Sequence, residues 1–216
     1  MRITSIERPP RRRTFEVRVD HVMLLRLSPE VLALSGLATG EEVDNDRLRA
    51  IEEQEARHAA LAYAMRLLAY RPRAEAELAR KLSRKGFAEA ICRETLARLK
   101  ELKLVDDAAY ARSFVDTRTR TSPRSRRLLA SELRGQRVPA GSVEAAVAEV
   151  DEAQAAYQAA AKRARNLTEA AFPDFKRRIA DLLLRRGFDY DTARATVARL
   201  WEETRGTRPG AEEMEE

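Results

Sequence analysis

At 216 residues the chain is long enough for one elongated domain or two small ones with a real core. Apolar residues make up 44% and charged residues 35%, which excludes a disordered chain, and no apolar run nears the roughly 20 residues of a membrane span. The net charge of +6 is carried mainly by arginine and favours an anionic partner or an acidic protein surface, although coding bias in an Ala- and Arg-rich genome would leave the same mark.

The N-terminus carries Arg2, Arg8 and Arg11 to Arg13 without an apolar stretch, so it does not read as a signal peptide. Arg11 to Arg13 are expected to form a partly disordered arm. Phe15, Val17 and Val19 alternate with polar residues, as do Met23, Leu25 and Leu27, and Asp20-His21 lies between them; this predicts a β-hairpin. Ser28-Pro29-Glu30 supplies an N-cap, a first-turn proline and an acid, opening a short helix through Val31, Leu32 and Leu34 that Gly36 ends. Asp44 caps a long helix with apolar positions at Leu48, Ile51, Leu61, Met65 and Leu68. The stretch from Arg71 to Phe87 then reads as a bounded amphipathic helix. Pro72 suits its first turn, Gly86 its stop, and Phe87 folds back onto its last turn. Leu78 and Leu82 share one face, with Arg73, Arg80 and Arg84 on the roughly opposite one.

From about residue 60 the chain repeats. With Pro72, Pro123 and Pro173 aligned, apolar residues recur at the same offsets: Leu78, Leu129 and Ile179; Leu82, Leu133 and Leu183; Phe87, Val138 and Phe188; Leu96, Val147 and Val197; Leu99, Val150 and Leu200. A helix bearing Tyr63, Tyr110 or Tyr157 precedes each proline. The residue before the third of these positions is Gly86, Arg137 or Gly187. Such self-similarity signals a helical repeat array, here of three-helix units. The fold class is therefore mainly α: tandem three-helix repeats in an elongated curved array, with a small N-terminal segment containing the β-hairpin. The expected divisions are 1–45 for that segment, 46–104, 105–150 and 151–201 for the repeats, and 202–216 for an acidic disordered tail bearing Glu212, Glu213, Glu215 and Glu216.

No catalytic constellation stands out. His21 and His58 are far apart and read as solvated. Cys92, the single cysteine, sits among apolar helix positions as a structural thiol and fits a reducing cytoplasm. Two histidines and one cysteine are too few for a typical zinc site, and Asp106-Asp107 reads as a helix cap. No glycine-rich phosphate loop is present, so neither enzyme, metal nor cofactor is expected. What remains is charge. Between Arg71 and Arg137, 18 Lys or Arg stand against 9 Asp or Glu. A solvated face is the default for such a run, yet one sign across two neighbouring repeats favours contact with phosphates or an acidic protein groove.

The run Tyr70-Arg71-Pro72-Arg73-Ala74-Glu75-Ala76-Glu77-Leu78, with Lys81-Leu82 and Lys85-Gly86-Phe87, resembles the first repeat of the RecX regulatory proteins. Leu104-Val105-Asp106-Asp107-Ala108-Ala109-Tyr110-Ala111-Arg112-Ser113-Phe114-Val115 resembles the opening of their second repeat. The likeness covers roughly residues 60 to 200. It departs at Ala74, where the family often has a capping serine, and at Gln136-Arg137-Val138, which replaces a Lys-Gly-apolar stop. The resemblance implies a cytoplasmic negative regulator of the RecA recombinase. Such a protein would lodge in the groove of the RecA–DNA filament, suppressing its recombinase, ATPase and co-protease activities, and would act as a monomer with no membrane. DNA would be met directly or through the filament. The candidate contact residues are Arg73, Arg80, Arg84, Lys85, Arg124, Arg126, Arg127 and Arg134, chosen by charge clustering. A helical-repeat DNA-binding protein acting independently of RecA is the alternative, and a scaffold with a merely solvated basic face the blandest reading.

Overall fold

The structure, a computed structural model, describes residues 1–206. It divides into two compact units, Met1–Val105 and the residues from Asp106 onward.

The first unit opens with a three-stranded antiparallel sheet, β1 (Ile3–Glu7), β2 (Phe15–Val19) and β3 (Met23–Leu27), in the order β1-β2-β3. The hairpin of β2 and β3 is as the alternation predicts. Its turn places Asp20 and His21 both at positive φ (50° and 60°), and the Val22 N–H donates to the Val19 carbonyl at 3.1 Å. That mirror-image turn matches the right-handed twist of the strands. Strand β1 was not expected. Its register shifts between Ile3 and Ser5, so that Ile3 faces Val19 and Ile6 faces Val17. The bulge brings apolar residues three apart onto one face, a spacing that hides a strand from a period-two reading. The arginines of 11–13 are correspondingly not a leading arm. They belong to the connection between β1 and β2, where the Arg12 N–H donates to the Pro9 carbonyl at 3.2 Å.

Helix α1 (Pro29–Ser35) is capped by Ser28, whose Oγ accepts from the Val31 N–H, and ends at Gly36 with φ 65°. Helix α2 (Asn45–Tyr70) is capped by Asp44, whose carboxylate accepts from the Arg47 N–H at 2.7 Å. This helix serves two cores. Leu48 and Ile51 close over the sheet with Ile3, Val17, Leu25, Leu27 and Val31. Further along, Ala60 and Ala64 pack with Leu78, Leu82, Leu96 and Leu99. The face pointing inward near its C-terminal end is thus lined by alanines, which let helices approach closely, and the expected core residue Met65 is 46% exposed. Helices α3 (Glu75–Arg84) and α4 (Glu89–Glu101) complete this three-helix layer.

The second unit contains α5 (Asp107–Thr121), α6 (Arg126–Gly135), α7 (Ala140–Ala148), α8 (Glu152–Arg165), α9 (Phe172–Arg185) and α10 (Tyr190–Gly206). Helix α5 and α6 each pack on α7, while α8, α9 and α10 pack on one another. The five-position apolar ladder forms the interior. Leu78, Leu129, Ile179, Leu82, Leu133 and Leu183 are all fully buried, and only Phe87 and Val147 among the fifteen remain partly exposed. Burial of a leucine side chain is worth about 1.5–3 kcal/mol, so these positions dominate the stability of each unit.

Each second helix of a repeat stops in the left-handed conformation: Gly86 at φ 96°, Arg137 at 61° and Gly187 at 86°. The departure at Arg137 therefore changes the residue but not the backbone. Pro72 departs from expectation. It lies two residues ahead of the N-cap Ala74, outside the first turn of α3, whereas Pro173 does occupy the first turn of α9. Helix α10 runs past Trp201 to Gly206; the expected acidic tail, with its glutamates from 212 on, lies outside the described residues.

Candidate functional site

The seven arginines and one lysine singled out by charge separate into three kinds. Arg73 is not on the exposed face of a helix. It precedes α3 and is 8% exposed, and its Nε donates to the Leu67 carbonyl at 3.0 Å while its Nη1 pairs with Glu77. Arg71 donates to both oxygens of the same carboxylate at 2.8 and 3.0 Å. Two guanidiniums and one carboxylate thus fasten the loop between α2 and α3. Arg124, its counterpart in the next repeat, is half-buried and also engaged: it pairs with Glu132, whose other oxygen lies 3.4 Å from Arg118 Nε. Burial, then the nearby Arg118 and Arg186 charges, push the Arg124 guanidinium below the usual arginine value. An arginine that recurs at the same offset in two copies is thus a loop fastener in both.

Arg126 and Arg127 open α6 after its N-cap Ser125 and link elements while keeping exposed heads. Arg126 Nε donates to the Val150 carbonyl at 2.6 Å and lies 3.7 Å from Glu152, and Arg127 Nη2 reaches the Gly187 carbonyl at 3.4 Å. Arg80 and Arg84 on α3, Lys85 at its C-cap and Arg134 in the last turn of α6 are exposed and take no intramolecular partner among the described residues. These four cations are unengaged, and screened attraction to an anionic partner is what they can offer.

Charge clustering alone missed Arg186. It occupies the position of Lys85 and Gln136 in the earlier repeats, so the repeat alignment held the signal. Its Nη1 donates to the carbonyls of Pro123 (3.4 Å) and Ala159 (3.3 Å), and its own carbonyl accepts from the Ser125 N–H at 3.1 Å. Cys92 is buried against the Phe87 carbonyl, and burial, with a smaller contribution from Glu89, pushes its thiol up, away from the thiolate a nucleophile needs. Among the described residues, no cluster of His, Cys, Asp and Glu is placed to hold a metal ion, and no helix is long and apolar enough to cross a membrane.

A series of three-helix layers whose glycine or arginine stops recur in register around a ladder of apolar residues defines a class of fold, the helical-repeat protein. Residues 60–99 match the first three-helix domain of RecX, 106–147 the second and 149–197 the third. The regulatory protein RecX of Chlorobium limicola is 32% identical over 143 residues, covering 66% of this chain and 90% of that protein. That of Chlorobaculum tepidum is 38% identical over 139 residues, 64% of this chain and 86% of the relative. Among solved structures, a regulatory protein RecX superposes with a TM-score of 0.67 over 91% of this chain and 98% of its own at 22% identity. RecX from Lactobacillus salivarius gives 0.61 over 68% and 97% at 23% identity. The chain belongs to the RecX family of regulatory proteins.

Proposed function

We propose that this protein is a cytoplasmic, monomeric, non-catalytic negative regulator of the RecA recombinase, acting in recombination, DNA repair and the SOS response. It binds along the groove of the RecA–DNA filament and suppresses recombinase, ATPase and co-protease activities. Beyond family membership, the observation that carries this reading is the exposed, unengaged cations of each unit, Arg80, Arg84 and Lys85 in the first and Arg134 in the second, the latter on the same helix as Arg126 and Arg127. Their role is contact with filament carboxylates or phosphates. Arg73 and Arg124 shape the loops instead. Dispersed charge contacts of this kind give salt-sensitive binding and need no reacting group.

The test is RecA ATPase on single-stranded DNA with the wild type and with Arg80, Arg84, Lys85 and Arg134 changed together to Gln. Inhibition is expected to weaken at least tenfold while the helical signal is kept. Full inhibition by the folded variant would remove these residues from the site. Competition between naked and RecA-coated DNA separates this reading from that of a RecA-independent DNA-binding protein.

A further inference from the structure

A second basic feature lies within the second unit, where α5 and the loop after it face α8 and the stop of α9. The cleft there measures about 550 Å³ and is lined by Thr119, Arg120, Thr121, Gln158, Lys162 and Arg186, with Pro123 and Ala159 as the only other contributors. Three cations line it and no carboxylate does among the described residues. An adjoining cleft, which shares Thr119 and Arg120 with this one, gives the contrast. That one, about 490 Å³, sets Arg112 and Arg120 against Asp116, Glu149 and Asp151. Carboxylates therefore line the adjoining cleft and none lines this one, so Arg120 is flanked by acids on one edge and by Lys162 and Arg186 on the other.

The helix macrodipole accounts for part of the pattern, since Arg120 lies in the last turn of α5 and Lys162 in the last turn of α8. Each such placement is worth about 0.3–1 kcal/mol. The same dipole favours Arg186, the C-cap of α9, and two carbonyls fix the orientation of its guanidinium in addition. Those bonds use only Nη1, leaving Nε and Nη2 without a partner among the described residues. Nearby, Glu132 is already engaged by Arg118 and Arg124, so it does not offset the cleft. The Thr121 hydroxyl is turned away to the Thr117 carbonyl, whereas Thr119 and Gln158 add neutral polar groups to the lining.

We infer that this cleft between the second and third repeats is a phosphate-binding site for the backbone of a nucleic-acid duplex, with Arg120, Lys162 and Arg186 as its contacts. The lining has no aromatic or long aliphatic side chain, so it offers neither a platform for an unstacked base nor an anchor for a peptide side chain. Charge and planar guanidinium donors are what it presents, and these recognise phosphodiester groups without regard to sequence. The inference concerns naked duplex and does not depend on RecA.

The experiment is fluorescence anisotropy of the full chain with a labelled short DNA duplex, without RecA, at salt from about 50 to 200 mM. The double variant Arg120→Gln, Lys162→Gln is compared with Arg49→Gln, Arg93→Gln, which removes the same charge from exposed positions of the first unit. The cleft variant is expected to bind about tenfold more weakly, with a salt slope shallower by about 0.9 per lost contact. Identical affinity and slope for the two variants would overturn the site. Displacement of duplex from the wild type by inorganic phosphate far more effectively than by chloride at equal ionic strength would overturn the backbone assignment in favour of free phosphate. Arg186→Lys keeps the charge while losing the planar fork, and intermediate weakening with an unchanged melting temperature is expected. RecA ATPase plays no part in the readout, so failure here leaves the filament proposal standing and failure there leaves the cleft standing.

Discussion

An arginine's exposure, more than its presence in a basic run, decides what it can do in this chain. Arg73 and Arg80 sit seven residues apart in one motif, yet the first is buried on Leu67 and Glu77 and the second is exposed. Arg73→Ala is expected to destabilise the first unit by about 2 kcal/mol, because it leaves a half-buried carboxylate with one partner fewer. Arg80→Ala should stay within about 0.5 kcal/mol; urea midpoints of the two variants make the comparison. The three helix stops invite a second comparison. An added Cβ at Gly187 would stand 2.5 Å from Ser125 Oγ and 2.8 Å from Leu128 Cβ, while at Gly86 it would meet nothing within 4 Å. Both carry the left-handed backbone penalty, so Gly86→Ala should cost about 1 kcal/mol, and Gly187→Ala about 2 kcal/mol or more. Equal losses would show that the neighbouring repeat yields freely. At the middle stop the sign reverses: Arg137→Gly relieves the strain of a side chain at φ 61° and is expected to stabilise by about 0.5 kcal/mol, read as a raised urea midpoint.

Elements were legible where one periodicity ran unbroken. The apolar ladder identified the helices of all three repeats, and the Ser28, Asp44 and Asp106 caps fall where polar residues precede apolar runs. Strand β1 was not legible, because a bulge replaces its alternation. Pro72 misled because the same residue type stands inside the first turn of α9 but ahead of α3; the longer α9, starting at Phe172, makes the difference. The site was less legible than the fold, since composition records how many arginines there are and not which carboxylates and carbonyls engage them. The pairing of α8 with α10 adds a pH signature. Tyr157 donates to Glu203 at 2.8 Å, and Arg199 lies 3.0 Å from the same carboxylate. The tyrosine hydroxyl first, and Arg199 next, hold Glu203 below its ordinary value of 4.5, so its contribution is present above that value and lost as pH falls through the lower folded one. Tyr157 is raised above 10.0 by the same bond, so its contribution is present below 10.0 and lost as pH rises through the folded value. The stability difference between wild type and Tyr157→Phe should be flat between these limits and shrink beyond both. A difference constant from acid to alkali would contradict the pairing.

At the scale of the whole chain, the net charge of +6 conceals a division of labour. Some arginines lock loops, some bridge elements, and a minority face outward unengaged. Raising salt is therefore expected to weaken partner binding far more than folding: inhibition of RecA ATPase should fall steeply between about 50 and 200 mM salt while the urea midpoint moves little. Parallel loss of both would place the outward cations in the stability of the fold instead. The junction at Ser125 bears on synthesis as well as on the finished molecule. The first backbone N–H of the cap that starts α6 is satisfied by Arg186, sixty-one positions later in the chain, and Leu128 rests against the space that Gly187 leaves. A middle repeat synthesised ahead of the third would leave that N–H to water until the α9 stop arrives, which links the ordering of the α6 start to completion of the third repeat. Residues 106–206 would then become protected from proteolysis together, at one chain length, in place of two successive steps.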